Sequence, residues 1–257
     1  MSVEYIDFIS HIKRKLGIDL TLYKEAQMKR RLTSLRNKRG FASFIDYMKA
    51  LDKDDVLLQE FVDRLTINVS EFYRNPKRWA KLQDNIIPDL LNSSNKLTIW
   101  SAACSTGEEP YSIAIMIKEY FPRCDIRIVA TDIDEKVIEK AKQGIYQEQA
   151  LKELPYELKD KYFQYENGLY YIDKRIKHMV IFKKHNLLAD RYPRDVDLIV
   201  CRNVLIYFTD QAKEIIYKNF SNALVENGVL FVGSTEQIFS PNQYNLSLLD
   251  TFFYTKK

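Results

Sequence analysis

Glu108 and Glu109 stand together where a run of strand character, Leu97 to Ala102, turns through small residues into a helical pattern; the whole stretch, Leu97 to Tyr111, reads LTIWSAACSTGEEPY. Acids at a helix start suit the helix dipole, which is one reading of the pair. The other is a site, because acids there repel phosphates and attract a cation. The turn holds a single glycine, Gly107, and no GxGxxG, so it is a poor cradle for a pyrophosphate. A nucleoside bearing a sulfonium and an ammonium, S-adenosylmethionine, suits this polarity better than a nicotinamide dinucleotide.

Further polar residues fall at the ends of other strand patterns. Asp132 follows one, where an acid commonly accepts both ribose hydroxyls of an adenosine ligand. Asn186 follows a second and suits the adenine edge or the sugar. Arg202 and Asn203 follow a third, with Tyr207 one helical turn beyond. Each alone reads as a turn or capping residue; together they mark one crevice at the carboxyl ends of a sheet. The stretch Cys201–Phe208 (CRNVLIYF) lacks the [DNS]-P-P-[YFW] turn of enzymes that methylate amino groups. Methyl transfer to a carboxylate needs no strong base, because the acceptor is already ionised at pH 7. It needs donors such as Arg and Tyr to align the acceptor and a site that excludes water.

The elements that must position these groups follow from periodicity. Residues 1–75 read as all-helical, with helices over Lys24–Arg39, Phe41–Leu51 and Asp55–Leu65. Asn75-Pro76 reads as a break, and we place a domain boundary there, giving units 1–75 and 76–257. A connector helix spans Arg78–Leu91. Strands are expected at Leu97–Ala102, Ile126–Thr131, Val180–Lys183, Asp197–Cys201 and Val229–Gly233, with a last strand at Asp250–Thr255. Helices alternate with them, including Glu135–Gln143 and Gln211–Val225, the latter closed by Asn227-Gly228. This is the pattern of an α/β protein with a doubly wound, mostly parallel sheet. Residues of about 147–179 break the alternation: Asn167-Gly168 between aromatic runs signals a hairpin, read as a three-stranded antiparallel insertion. Its tyrosines are either β packing or the edge of a peptide-binding surface.

Composition narrows the function classes. The chain has 257 residues, 46% hydrophobic and 29% charged, with a net charge of +4. That charge is too mild for a nucleic-acid binder. No apolar run reaches membrane-spanning length, and the N-terminus lacks the order of a secretory signal. Cys104, Cys124 and Cys201 show no paired spacing and read as reduced thiols, so a cytoplasmic protein is expected. Scattered His11, His178 and His185 give no support to a metal site or a Ser-His-Asp triad. Between Lys13 and Arg39 ten Lys or Arg face two acids, a local excess of eight positive charges. The densest part, Lys29, Arg30, Arg31, Arg36, Lys38 and Arg39, is either a solvated helix face or a docking surface for an acidic partner.

Thr66–Arg74 (TINVSEFYR), Trp100–Tyr111 (WSAACSTGEEPY), Ala130–Glu135 (ATDIDE), Asn186-Leu187-Leu188 and Cys201–Phe208 together strongly resemble the CheR family of chemotaxis receptor methyltransferases. The resemblance covers nearly the whole chain. It implies a methyltransferase (Rossmann-like) sheet behind an all-helical N-terminal domain. It also implies an S-adenosylmethionine-dependent protein-glutamate O-methyltransferase that forms γ-methyl esters on chemoreceptor helices, leaving S-adenosylhomocysteine and using no metal. The family's cofactor contacts carry over to Asn68, Ser70, Arg74, Glu109, Asp132, Asn186, Leu187, Arg202 and Asn203. Ser70 stands where other members often have threonine. Arg74 and Tyr207 match residues near the transferred methyl group. The basic helix then has a natural partner in the acidic receptor bundle. In some members the β insertion holds a tethering peptide from the receptor tail; others work without it. Two other readings remain beside this one: a methyltransferase acting on RNA or a small molecule, and an adaptor that senses the cofactor without turnover.

Overall fold

A computed structural model describes residues 3–65, 70–92 and 95–257 of the chain. The first segment is helical: α1 (Val3–Leu16), α2 (Glu25–Lys38), α3 (Phe44–Leu51) and α4 (Asp55–Leu65). Each helix turns one apolar stripe inward, and the stripes meet around Phe8, whose ring lies 4.8 Å from Phe44, 6.1 Å from Tyr47 and 5.8 Å from Phe61. Ser43 caps α3 by accepting the Asp46 N–H at 3.0 Å, and Asp54 caps α4 by accepting from Val56 and Leu57. A longer helix follows as α5 (Pro76–Lys81) and α6 (Ile87–Leu91), joined through a π-helical stretch, Leu82–Ile86.

The alternating part then runs β1 (Lys96–Ala102), α7 (Glu108–Tyr120), β2 (Asp125–Asp132), α8 (Glu135–Gln143), β3 (Ile145–Tyr146), α9 (Tyr156–Tyr162), β4 (Phe163–Glu166), β5 (Leu169–Ile172), α10 (Lys174–Lys177), β6 (Val180–Lys184), β7 (Val196–Cys201), α11 (Asp210–Ala223), β8 (Leu224–Val232), β9 (Leu246–Asp250) and β10 (Phe253–Lys256). Seven strands form one sheet in the order β6-β2-β1-β7-β8-β10-β9. The five strands from β6 to β8 are parallel; β10 runs antiparallel to both its neighbours. Alternate residues feed two cores. Ile99, Ile128, Leu198 and Phe231 pack on the α7 side, and Trp100, Ile199, Leu230 and Val232 pack against α11. Apolar residues on both faces are what a sheet covered by helices on both sides requires. From β1 the chain steps outward to β2 and β6, then returns to β7 on the other side of β1. That reversal opens a crevice above β1 and β7, where α/β proteins bind ligands.

The insertion is a separate antiparallel sheet, β3-β5-β4, and its Asn167-Gly168 turn has both residues at positive φ, 50° and 81°. That is the geometry the Asn-Gly signal demands. Two local expectations are corrected. The expected single strand Asp250–Thr255 is a hairpin, because Phe252 takes φ +71° and reverses the chain between β9 and β10. Asn227-Gly228 does not close a helix. The helix stops at Ala223, Leu224 pairs directly with Val196, and a bulge absorbs the next residues before Val229 pairs with Leu198.

Candidate active site

The turn after β1 is held in a strained shape by its neighbours. Ala103 and Ser105 adopt φ of +62° and +48°, which costs roughly 1–2 kcal/mol per non-glycine residue. The backbone is fixed from below: Cys104 N donates to Thr131 O at 2.9 Å, and Ser105 N donates to Asp132 Oδ2 at 2.9 Å. The other Asp132 oxygen accepts the Asp134 N–H at 3.0 Å. Gly107 closes the turn at φ +95°; a Cβ there would lie 2.9 Å from Ala141 Cβ and 3.2 Å from the Tyr146 hydroxyl. Glycine is therefore required both for conformation and for space. Glu109 Oε1 then accepts the Ser101 hydroxyl at 2.8 Å.

Arg74 and Arg202 line the same space, close enough to Glu109 to act on its charge. Tyr73 and Asn75 bracket Arg74 at φ +53° and +63°. The bend is pinned by Tyr73 N donating to Ser112 Oγ at 3.1 Å, and by the Arg74 carbonyl accepting from Trp79 Nε1 at 2.9 Å and Arg202 at 2.8 Å. The Arg202 guanidinium lies 4.8 Å from the Phe231 ring centroid and 5.7 Å from that of Trp79. Beyond β7, Asn203 sits at φ +62° and leads into a 3₁₀ turn, Leu205–Tyr207. Asn186 caps its own turn, its Oδ1 accepting from Leu188 N at 2.9 Å.

These residues line one cavity of about 1010 Å³ of empty space, part of it open to solvent. A concave crevice at the carboxyl ends of the strands with a few convergent polar groups is where small-molecule ligands bind. Ser70, Arg74, Glu109, Asp132, Asn186, Leu187, Arg202, Asn203 and Tyr207 all face it; Asn68 lies outside the described residues. The helical unit supplies the roof. Tyr23 and Leu65 line the cavity, the Tyr23 ring packs 4.9 Å from Phe208, Lys24 N donates to Tyr207 O at 2.9 Å, and Asn186 Nδ2 reaches Gly17 O at 3.3 Å.

The electrostatics favour a ligand carrying both charges. Removal from bulk water pushes the Glu109 carboxyl up to about 7, against the pull of Arg202 and the Ser101 hydroxyl. The same desolvation lifts Asp132 to about 6, although the backbone N–H groups of Asp134, Ser105 and Ile133 stabilise its charge. Burial depresses Arg202, and its Nε is a buried donor without a partner among the described residues. A ligand with a cationic head and a nucleoside body satisfies the two acids, and an anionic oxygen satisfies the orphaned donor. These residues therefore fit S-adenosylmethionine.

Several participants escaped the sequence reading. Tyr23, Leu65 and Phe208 meet only through the fold. Glu236 is buried and accepts four backbone N–H groups at the far side of the cavity wall; its only sequence signal was a lone acid just past an apolar strand. The basic helix differs in part from expectation. Arg30 and Lys38 are exposed, Lys29 and Arg36 lie over the Tyr5 and Phe44 rings, and Arg39 pairs with Glu60 at 2.6 Å. Arg31 is turned inward: it donates to Leu65 O at 2.8 Å and lies 5.5 Å from the Tyr207 ring centroid, so it holds the roof to the site. Among the described residues no cluster of His, Cys, Asp or Glu is arranged to hold a metal ion, and no helix is long and apolar enough to cross a membrane.

Comparison with known proteins agrees along the whole chain. The family model described as the all-alpha domain of CheR methyltransferase matches residues 4–66, and that described as the SAM-binding domain of CheR methyltransferase matches residues 68–253. The chain is 45% identical over 254 residues to a chemotaxis protein methyltransferase of Listeria innocua, covering 98% of this chain and 97% of that protein. The corresponding protein of Borreliella burgdorferi is 37% identical, with 90% and 86% covered. That of Escherichia coli is 34% identical, with 88% and 81% covered.

Proposed function

The chain belongs to the CheR methyltransferase family, and we propose that it transfers the methyl group of S-adenosylmethionine to glutamate side chains on the cytoplasmic helices of chemoreceptors, giving glutamate 5-O-methyl esters and S-adenosylhomocysteine. The observation that carries the substrate class is the donor set of the cavity: Arg74, Arg202 and Tyr207 line one space together with Glu109 and Asp132. When bound, S-adenosylmethionine supplies a methyl group on a sulfonium, a good leaving group. A glutamate acceptor has a reference pKa near 4.3 and is ionised at pH 7, so no residue need remove a proton. Alignment is then the larger lever. Holding two reactants in line offers about 7–11 kcal/mol, against the roughly 3–5 kcal/mol of a general base.

The roles follow residue by residue. Glu109 pairs with the cofactor's ammonium, Asp132 accepts its ribose hydroxyls, and Asn186 and Leu187 receive its adenine side. Asn68, Ser70, Arg202 and Asn203 complete the cofactor contacts. The Arg74 fork and the Tyr207 hydroxyl hold the acceptor carboxylate in line. Tyr23, Leu65 and Phe208 exclude water from the transfer. The exposed charges of Arg30 and Lys38, continued by Lys29, Arg36 and Arg39, meet the acidic receptor bundle. The edge of the small sheet is the surface a receptor tail peptide would extend. The protein works in the cytoplasm as two units, 1–75 and 76–257, with the cavity between them.

The test is transfer of labelled methyl from S-adenosylmethionine to a receptor cytoplasmic fragment, in parallel with the same fragment carrying Gln at its bundle glutamates. Label confined to the Glu-bearing fragment is expected. Equal labelling of both fragments would overturn the assignment.

A further inference from the structure

Glu236 is 4% exposed, and no role described above uses its charge directly. Its Oε1 accepts the N–H groups of Leu205 at 2.6 Å and Ile206 at 3.3 Å. Its Oε2 accepts those of Asn203 at 2.7 Å and Gly233 at 2.8 Å. One side chain thus captures three donors of the turn after β7 and one at the end of β8. Gly233 makes room for it: a Cβ there would lie 2.3 Å from Glu236 Oε2 and 2.8 Å from Asn203 N. Gly233 is not at positive φ, so the close approach, rather than a turn, is what demands the missing side chain.

A clip between strands does not account for this arrangement. The ladder already joins β7 to β8, with Cys201 opposite Val232. A buried carboxylate is also a poor device for stability, since its desolvation offsets much of what its bonds return. What the carboxylate adds is a hold on the turn beyond the ladder, through three of its N–H groups. That turn carries Asn203 at φ +62° and ends in Tyr207, whose carbonyl is fixed from the other side by Lys24 N at 2.9 Å.

We propose that Glu236 is a positioning residue for methyl transfer: by clamping the Asn203–Tyr207 turn it sets where the Tyr207 hydroxyl meets the acceptor carboxylate. The inference rests on the role given to Tyr207 in the proposed function. A displacement of about 1 Å at a reacting group is worth about 100-fold in rate, and loss of the clamp permits a shift of that size.

The test uses Glu236→Gln and Gly233→Ala in the full chain. Glu236→Gln puts an NH₂ group against two N–H donors; Gly233→Ala drives the carboxylate out without altering charge. Both are expected to lower kcat toward the receptor fragment by about 100-fold, with KM within about twofold. Both are also expected to raise hydrogen exchange in the peptide spanning 203–208 and leave that of β1 and β2 unchanged. The decisive arm is a double-mutant cycle with Tyr207→Phe. Positioning through the hydroxyl predicts that Glu236→Gln costs less than about fivefold once that hydroxyl is gone. An equal loss in both backgrounds would overturn the inference, as would unaltered exchange in 203–208. Failure of the wild-type protein to label receptor glutamates would instead be the failure of the proposed function.

Discussion

Replacing Glu109 by Gln separates what the fold prefers from what the ligand needs. The carboxyl has an ordinary value of 4.5 and stands at about 7 in the folded chain. A tenfold change in proton affinity is worth 1.36 kcal/mol, so the ionised form opposes folding by about 3 kcal/mol above pH 7. Glu109 is partly exposed to the cavity, and water there screens the charge, so we take about 2 kcal/mol as the working figure. The sign follows from the raised value. Below pH 4.5 the carboxyl is neutral in both states and the substitution changes little; between 4.5 and about 7 the wild type loses stability relative to the variant. At pH 8.5 the ligand-free variant should therefore melt about 4–8 °C above the wild type, and at pH 4.5 level with it. Binding moves the other way. An ammonium prefers the ionised carboxylate, so wild-type affinity for S-adenosylhomocysteine should rise about twentyfold from pH 6 to 8, about tenfold through Glu109 and about twofold through Asp132. In Glu109→Gln only the titration of Asp132 near 6 remains, leaving a rise of about twofold. Melting curves and calorimetric titrations at these pH values read both effects. A melting difference independent of pH, or a binding profile of unchanged slope, would refute the reasoning.

Four further outcomes follow from the same geometry. Asp132→Asn keeps one acceptor for Ser105 N or Asp134 N and loses the other, and should raise the cofactor Kd at least about tenfold by calorimetry. Arg74→Ala should lower transfer to receptor fragments about 100-fold or more in a filter assay, with melting unchanged within about 2 °C. Gly107→Ala meets Ala141 Cβ at 2.9 Å and a left-handed backbone, and should lower stability by about 1–3 kcal/mol in urea unfolding. Charge reversal of exposed Arg30 and Lys38 to Glu should raise receptor KM several-fold at low salt and flatten its salt dependence, with cofactor Kd unchanged.

The chemistry was legible wherever it was local. The strand–turn–helix around Gly107 sets the site, and the polar residues at the ends of β2 and β7 announce it because backbone periodicity alone places them there. The Asn167-Gly168 hairpin was equally plain, since both residues favour positive φ. What was not legible depends on distant partners. Phe252 reverses the chain at φ +71° without the Gly or Asn that normally signals such a turn. Asn227-Gly228, a good helix stop by sequence, is a bulge because Leu224 pairs with Val196 first. Arg31 shares a helix with solvated basic residues, yet its contact with Leu65 comes from packing of helices within the helical unit and its contact with Tyr207 from packing of the two units. Glu236 gives no motif, because its four donors lie on two segments that only the parallel sheet brings together.

The most direct test of carboxylate methylation is the chemistry of the product bond. Purified protein, methyl-labelled S-adenosylmethionine and a chemoreceptor cytoplasmic fragment are incubated, the fragment is isolated, and the label is followed through mild base. Release of the label as volatile methanol is the predicted result, because a glutamate methyl ester hydrolyses under those conditions. Label that stays on the fragment through base would place the methyl group on nitrogen or sulfur and contradict the account.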